Sequence, residues 1–489
     1  MLVKRSIGVA IVLFWCLMNL LLLKRQLGAP PAPIMLRAVE SVSERIEEWW
    51  GVFYRGEKIG YANQTITPKT ESGYQIQDRS LLRLRLMGIT QNATTQLDMD
   101  VDREWTLEKF LFVLQSNEVR FHARGRVIPG KLNLQVASGG HVTTREIALR
   151  QPPYLLAALK PYVATQQLEA GKEYYFSTFD PATLSQQVTT VVIEAREQVR
   201  IGARMEPATR MRQRFNGISV VSWIDGSGRT LKEETPAGFS LMRETALQAK
   251  TLSDHRSIPL DLIAQTSITP DRPITSPERK NWVKLKLSGI NLANFPLINV
   301  GRQRLNQDLL EIRREPTEQL GPIQLPVRDS RLDSFIQPTA FTQSDHPDVR
   351  ALSRAIVQEE RDARKAALRI KDWVYKEIAK EPTVSIPNAL EVLQTKKGDC
   401  NEHTVLFNAL AKAAGVPART AVGVVHLRGA FYYHAWSEVW LGEWISIDAA
   451  LNQFPADPTH IKFLEGEIDR QIDILQLIGN LKIQIIEAS

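Results

Sequence analysis

GDCNEHTVLFNALAKAAGVPAR, residues 398–419, decides how this chain is read. Leu406, Ala409, Leu410 and Ala413 recur at helical spacing and share one face. Gly415 stands where a helix C-terminal cap is expected, and Pro417 follows two residues later. Cys400 therefore falls in the first turn of a mostly buried helix. Backbone N–H groups at a helix start favour negative charge, so the thiol is expected to have a lowered pKa and to act as a nucleophile. The alternative is a small buried hydrophobe. Its neighbours Lys396, Lys397, Asp399, Asn401 and Glu402 are all polar, which speaks against that role. Glu402, a first-turn residue, is expected to cap the helix or meet a basic neighbour rather than act as an acid or base.

A thiol nucleophile needs a base, and the base needs a group to orient it. RTAVGVVHL (419–427) reads as a strand, followed by the turn Arg428-Gly429-Ala430 and the strands FYYHAWSEVWL (431–441) and EWISIDAAL (443–451). His434, Trp436, Glu438 and Trp440 alternate onto one face. Trp444, Ser446 and Asp448 share one face of the next strand. A two-residue turn at Gly442-Glu443 would send His434 and Asp448 to opposite faces. If Trp440 instead faces Trp444 across a three-residue loop or bulge, Asp448 opposes Trp436 and lies diagonal to His434, within side-chain reach. A triad reading requires that odd-length loop.

These residues resemble the transglutaminase-like cysteine-enzyme superfamily, which has a papain-like core. The resemblance is carried by GDC with Glu402 two places after the cysteine, ALAKAAGVPAR (409–419), YHAWSEVW (433–440) and WISIDAA (444–450). NQFPADPTHIKFLEG (452–466) is similar to the exported bacterial members. The resemblance covers about 345–489. It implies Cys400 as nucleophile, His434 as general base and then acid, and Asp448 as the group that orients the imidazole. It implies a thioester formed from an amide carbonyl and resolved by water or an amine, with the Cys400 N–H as one oxyanion donor. Trp373 and Gln394 are positional candidates for a second donor. The trailing immunoglobulin-like domains of animal transglutaminases are not expected.

Upstream the pattern differs. WWGVFYRGEKIGYANQTI (49–66) reads as two strands about a turn at 55–58, and LLRLRLMG (81–88) and KLNLQVASGG (131–140) alternate with period two. SVVSWIDGSGRTLKEE (219–234) is a hairpin turning at Asp225-Gly226-Ser227-Gly228; without Lys-Ser/Thr or a following helix this is no phosphate loop. A β-rich antiparallel domain is expected over 31–250, as a curved sheet or partial barrel. A linker (ITPDRPITSPERK, 268–280) and a small β extension beginning with WVKLKLSGI (282–290) occupy 251–343. A helical pattern over 348–381, ended by Pro382, opens the catalytic domain at 344–489. The fold class is α+β.

The chain has 489 residues, enough for two to four domains, 43% hydrophobic content and a net charge of +7 spread without basic blocks, so nucleic acid is excluded as a partner. SIGVAIVLFWCLMNLLLL (6–23) carries no formal charge and spans roughly 27 Å as a helix, enough for a bilayer core. Lys4 and Arg5 precede it, Lys24 and Arg25 follow, and APPAPIM (29–35) forms a hinge. The one small-residue candidate for signal cleavage lies near Gly28-Ala29, where prolines follow at once, so an anchor is favoured over a cleaved signal. An uncleaved signal anchor within 1–30 is expected, single-pass in the inner membrane, with the body in the periplasm or outside the cell. The chain's other cysteine, Cys16, lies in that run. Cys400 is then unpaired in an oxidising compartment.

No metal or other cofactor is expected: His403, His426, His434 and His460 lack the paired spacing of a zinc site. Asp457 and His460 (PADPTH) resemble a family-specific loop near the site, and structural support is favoured over catalysis for them. Trp436, Trp440 and Trp444 suit either a substrate groove or the core. The sequence thus points to a membrane-anchored thiol enzyme acting on amide bonds of a protein or peptide, with hydrolysis favoured over transfer. The rivals are a scaffold with an idle triad and a curved sheet that binds lipid or polymer through a continuous apolar concave face.

Overall fold

The computed structural model describes residues 42–489, apart from 71, 87, 117–118, 139, 165, 167, 216–217 and 253–260. The expected anchor and hinge lie outside the described residues. Among the described residues, no helix is long and apolar enough to cross a membrane.

Among the described residues, one antiparallel sheet holds 14 strands. Eight form a meander: β1 (Ile46–Tyr54), β2 (Glu57–Pro68), β3 (Tyr74–Leu86), β4 (Ile89–Val101), β5 (Leu107–Ser116), β6 (Val119–Ile128), β7 (Lys131–Ser138) and β8 (His141–Ala148). Helix α1 (Leu156–Ala164) follows, then β9 (Glu173–Asp180), β10 (Ser185–Ile201), β11 (Arg204–Phe215), β12 (Ile218–Ile224), β13 (Thr230–Glu234) and β14 (Phe239–Arg243). β14 pairs back onto β1, so the two outer edges, β8 and β9, are consecutive strands in the chain.

Local chemistry explains the hairpins. Arg55 and Gly56 both take positive φ (48° and 87°), the two-residue turn whose twist suits a hairpin. Asp225 Oδ1 accepts from the backbone of Ser227 and Arg229 at 2.9 and 3.0 Å, so DGSG is a turn held by its own aspartate. Strand β7 buries Leu132, Leu134 and Val136 and leaves the alternate residues more exposed, as its period requires.

Tyr74, Trp105, Phe110, Phe121, Phe176 and Phe179 pack with Tyr154, Leu159 and Tyr162 of the α1 segment. Beside α1 a cavity of ≈ 330 Å³ is lined by Trp50, Phe215 and Leu241, but also by Glu48, Asp78, Lys160 and Glu233. That mixed lining is not the continuous apolar surface a lipid-binding sheet requires.

A second sheet has the order β16–β17–β15–β22, from β15 (Trp282–Ser288), β16 (Gln303–Asn306), β17 (Leu309–Arg313) and the C-terminal β22 (Lys482–Ala488). It takes in residues that the sequence reading grouped with the C-terminal domain.

The expected helical stretch 348–381 is two helices, α2 (Pro347–Val357) and α3 (Ala363–Glu377). Gln358 takes φ 54°, and the Asp362 carboxylate accepts from the Lys365 N–H to start α3 afresh. Helix α4 (Ala389–Thr395) precedes α5 (Cys400–Ala413), which packs against α2, α3 and α4 and against a sheet of order β20–β19–β18–β21. Its strands are β18 (Ala418–Leu427), β19 (Ala430–Trp440), β20 (Trp444–Ile447) and β21 (Ile461–Glu465). Leu406, Phe407, Ala409 and Leu410 of α5 are fully buried. Each Leu or Phe contributes about 1.5–3 kcal/mol by leaving water.

Gly423 on β18 pairs with His434, and a Cβ there would lie 1.8 Å from the Ile461 carbonyl oxygen of β21. Gly423→Ala is expected to push β21 off the sheet and destabilise the protein by at least ~3 kcal/mol. Thermal denaturation of the purified variant checks this, and an unchanged midpoint would contradict it.

The β-rich domain meets the C-terminal one beside α5. The buried side chain of Gln91 on β4 donates to Pro382 O and accepts from Val384 N, the latter at 3.2 Å. Ser138 on β7 donates to the buried carboxylate of Glu391 on α4.

Candidate active site

Helix α5 starts where the sequence indicates. Asp399 is the N-cap, with Oδ1 accepting from Asn401 N at 2.8 Å. Glu402 completes a capping box, accepting the Asp399 N–H at 2.9 Å, while Ser385 donates to its other oxygen. At the far end Gly415 takes φ 81° and Val416 N donates to Ala411 O at 2.9 Å, a C-terminal cap that suits glycine.

The hairpin has the odd-length loop. Trp440 pairs with Trp444 and Glu438 with Ser446, across Leu441-Gly442-Glu443, with Leu441 N donating to Glu443 O. β20 ends at Ile447, and Asp448 turns toward β19. His434 Nε2 lies 2.6 Å from Asp448 Oδ2. Both side chains are buried, at 6% and 1% exposure, so solvent screens the pair little.

Cys400 is half-buried in the first turn of α5. The Thr404 hydroxyl one turn on lies 2.7 Å from Cys400 O and 3.1 Å from Ala435 O, pinning this end of the helix to β19 at the residue after His434. The structure thus sets the turn bearing Cys400 against the strand bearing His434, and joins His434 to Asp448.

One expectation is overturned. The Cys400 pKa is pushed up, not down. Burial is the largest cause, and the carboxyl of Asp399 adds to it, with Glu402 and Asp448 contributing; hydrogen bonding from the Ala435 backbone opposes them. The helix start that was expected to stabilise a thiolate already serves its own cap. Asp399 is raised as well, by burial and by the adjacent Glu402. At rest the group is a neutral thiol. Alkylation of Cys400 by iodoacetamide is therefore expected to rise with pH, with a midpoint above the ~8.5 of a free thiol. Asp399→Asn, which keeps a good N-cap, should move that midpoint down. A wild-type midpoint near 7, or no shift in the variant, would contradict the assignment.

Asp448 is ionised. Burial works against this, but His434 and His460 outweigh it and hold the carboxyl far below the usual range. Its Oδ1 accepts from Ala450 N at 2.7 Å and Leu451 N at 2.9 Å. Its Oδ2 is shared: His460 Nε2 lies 3.0 Å away. The resemblance placed the loop of Asp457 and His460 near the site, but not the sharing of Asp448 Oδ2 by a second imidazole. The nearness of Lys380 was not legible in the sequence. Backbone pairing of Ala379 and Lys380 with Lys397 and Gly398 brings this lysine close enough for Asp448 to raise its pKa, against a larger lowering by burial.

The other singled-out residues have plain surroundings. His403 Nδ1 lies 2.7 Å from Asp399 O, and its Nε2 is buried with no hydrogen-bond partner. His426 Nε2 accepts from Ile274 N at 3.2 Å. Trp373 lies under the Lys396 ammonium, 4.4 Å from its ring centroid, and Gln394 is exposed on α4. Trp440 and Trp444 pack edge to face beside the core, whereas Trp436 stacks beside His434. Among the described residues, two groups of side chains each bring three atoms able to ligate a metal together: His434, Asp448 and His460, and, between the domains, His141, His346 and Asp348. In the first, hydrogen bonding to Asp448 accounts for both imidazole Nε2 atoms.

Residues 350–449 match the transglutaminase-like superfamily, and this segment is a transglutaminase-like domain. No curated protein matches the chain. Among solved structures, the chain is similar to a protein from Cytophaga hutchinsonii provisionally described as a cysteine protease. They share 15% identity over 42% of this chain and 84% of that one, with a TM-score of 0.28. It is also similar to a β-barrel-like protein of a domain of unknown function from Brucella abortus. That match has 13% identity over 43% of this chain and 96% of that one, with a TM-score of 0.33.

Proposed function

We propose that the protein is a thiol enzyme that opens amide bonds of a protein or peptide through a thioester on Cys400. The observation that carries the reading is the buried 2.6 Å contact of Asp448 with His434, which lies on the strand to which the start of α5 is pinned. Asp448 engages Nε2 of His434, which leaves Nδ1 to serve the thiol. Because the resting thiol is neutral, His434 acts as a general base: it takes the S–H proton as sulfur attacks the amide carbonyl. The Cys400 N–H, at the start of α5, receives the negative oxygen of the tetrahedral intermediate. The imidazolium then gives its proton to the departing amine. Water, activated by the same imidazole, resolves the thioester; an amine in its place gives transfer. Hydrolysis is favoured, because water needs no binding site.

The apolar run 6–23 between basic pairs supports a membrane anchor that presents this domain outside the cytoplasm, where peptide polymers of the envelope are within reach.

The test is to incubate the full-length protein with a mixed peptide library in ¹⁸O-labelled water, with and without a primary amine. Products are read by mass spectrometry beside His434→Ala. Hydrolysis appears as one labelled oxygen per new carboxylate, and transfer as amine adducts. Products formed equally by the variant would sink the reading.

A further inference from the structure

We propose that His460 is a positioning residue of this site: it shares the Oδ2 atom of Asp448 with His434, carries a fixed positive charge there, and so governs the pH at which His434 exchanges its proton. The inference deepens the proposed function and rests on it for its catalytic meaning.

The charge follows from hydrogen-bond geometry. A neutral imidazole has one bare nitrogen, which needs a donor. His460 meets acceptors at both nitrogens. Nε2 faces Asp448 Oδ2 at 3.0 Å, and Nδ1 faces Asp457 O at 3.2 Å and Asp457 Oδ1 at 3.5 Å. Both nitrogens therefore carry hydrogen. The ring is fully buried, as are Asp448 and Asp457 at 1% exposure each. A cation between two carboxylates satisfies such a place, and Asp457, with the hydrogen bond to Asp448, lifts the imidazolium to about 9 against the cost of burial.

The second carboxylate is itself fixed. Asp457 Oδ1 accepts from Thr459 N at 2.8 Å and from the Thr459 hydroxyl at 2.6 Å, and Oδ2 accepts from Gln453 at 2.9 Å. Arg302, at the start of β16, clamps the loop from the other sheet. Its guanidinium donates to Ala456 O at 2.6 Å, Asp457 O at 3.2 Å and His460 O at 3.1 Å, and pairs with Glu315 at 3.0 Å. The titratable and charged groups around His460 are thus Asp448, Asp457, His434 from β19, Arg302 with Glu315, and His426 from β18, which senses Asp457. Trp436 closes the side, its ring 5.1 Å from that of His460.

The consequence is electrostatic. An isolated aspartate beside His434 would strongly favour the imidazolium and resist its return to the base form. A cation on the same oxygen offsets that pull. The His434 and His460 rings are 5.4 Å apart, so each positive charge disfavours the other.

The experiment titrates His434 directly in the full-length protein, by NMR of ¹³C,¹⁵N-labelled histidine, assigned with single His→Gln variants. His460 should remain an imidazolium through pH 8. In His460→Gln the His434 midpoint should rise by about two pH units, the effect of a unit charge 5.4 Å away at an effective dielectric constant of about 20. Asp457→Asn, which keeps the ring, should bring the titration of His460 down into the neutral range. An unmoved His434 midpoint in a folded His460→Gln protein, or a His460 that is neutral at pH 7, overturns the proposal. If His460→Gln does not fold, Asp457→Asn decides: a His460 midpoint unchanged from wild type overturns it. These readouts need no turnover, so a failed ¹⁸O assay with an intact His434 shift would reject the enzyme reading and leave the coupling standing.

Discussion

Cys400→Ala is expected to lower the rate of peptide hydrolysis by at least ~10⁴-fold, about 5.5 kcal/mol of transition-state stabilisation. The thioester has no other origin, since Cys400 is the free cysteine of the described residues. The neighbours do not substitute. The Thr404 hydroxyl is engaged with two backbone carbonyls, and the Ser385 hydroxyl with Glu402. The variant is also clean. Alanine is tolerated in a first helical turn, and the capping box of Asp399 and Glu402 does not use the thiol. The melting midpoint should stay within a few degrees of wild type, so lost turnover reads as lost chemistry. Cys400→Ser should be nearly as inactive, because a hydroxyl is a poorer nucleophile for the same imidazole. The measurement is kcat/KM on whichever peptide the library identifies. Residual turnover within tenfold of wild type would remove the thioester from the mechanism.

What the sequence discloses and what it hides divide along physical lines. The start and end of α5 were legible because such signals are local: a polar first turn with Glu402, then Gly and Pro just past the last turn. The hairpin register was legible as a condition, because period two leaves just one parity that lets His434 and Asp448 meet. The break between α2 and α3 was missed because the apolar spacing runs across it, while Asp362 caps a second helix inside the pattern. The thiol was misjudged for a different reason. A helix start stabilises an anion with N–H groups that are free, and Asp399 claims Asn401 N here. The second imidazole on Asp448 depends on how 452–460 folds back between two sheets, a contact that no spacing encodes. The same holds for Lys482–Ala488, which closes a sheet begun at Trp282, near the middle of the chain.

That doubly engaged carboxylate makes Asp448→Asn the most informative substitution after the nucleophile. The wild-type side chain accepts from four donors: two backbone N–H groups on Oδ1 and two imidazoles on Oδ2. An amide has one accepting atom. If its oxygen keeps Ala450 and Leu451, its NH₂ faces both rings. His434 must then present a bare Nε2 and carry its hydrogen on Nδ1, the atom that should receive the thiol proton. If the amide flips, its NH₂ meets two backbone donors instead. Either way a donor faces a donor, and the base is lost or the turn is strained. A loss of turnover on the order of 10⁴-fold is expected, as when a triad aspartate becomes asparagine and the imidazole takes the wrong tautomer. Stability should fall too, by about 3–5 kcal/mol, because the His460 cation loses a buried counter-ion. The two effects separate by temperature. Activity measured well below the variant's melting midpoint reports the tautomer, and the midpoint itself reports the cation. An active Asp448→Asn enzyme would mean that His434 needs no carboxylate to orient it. A stable but inactive one would mean that His460 is content with Asp457 alone.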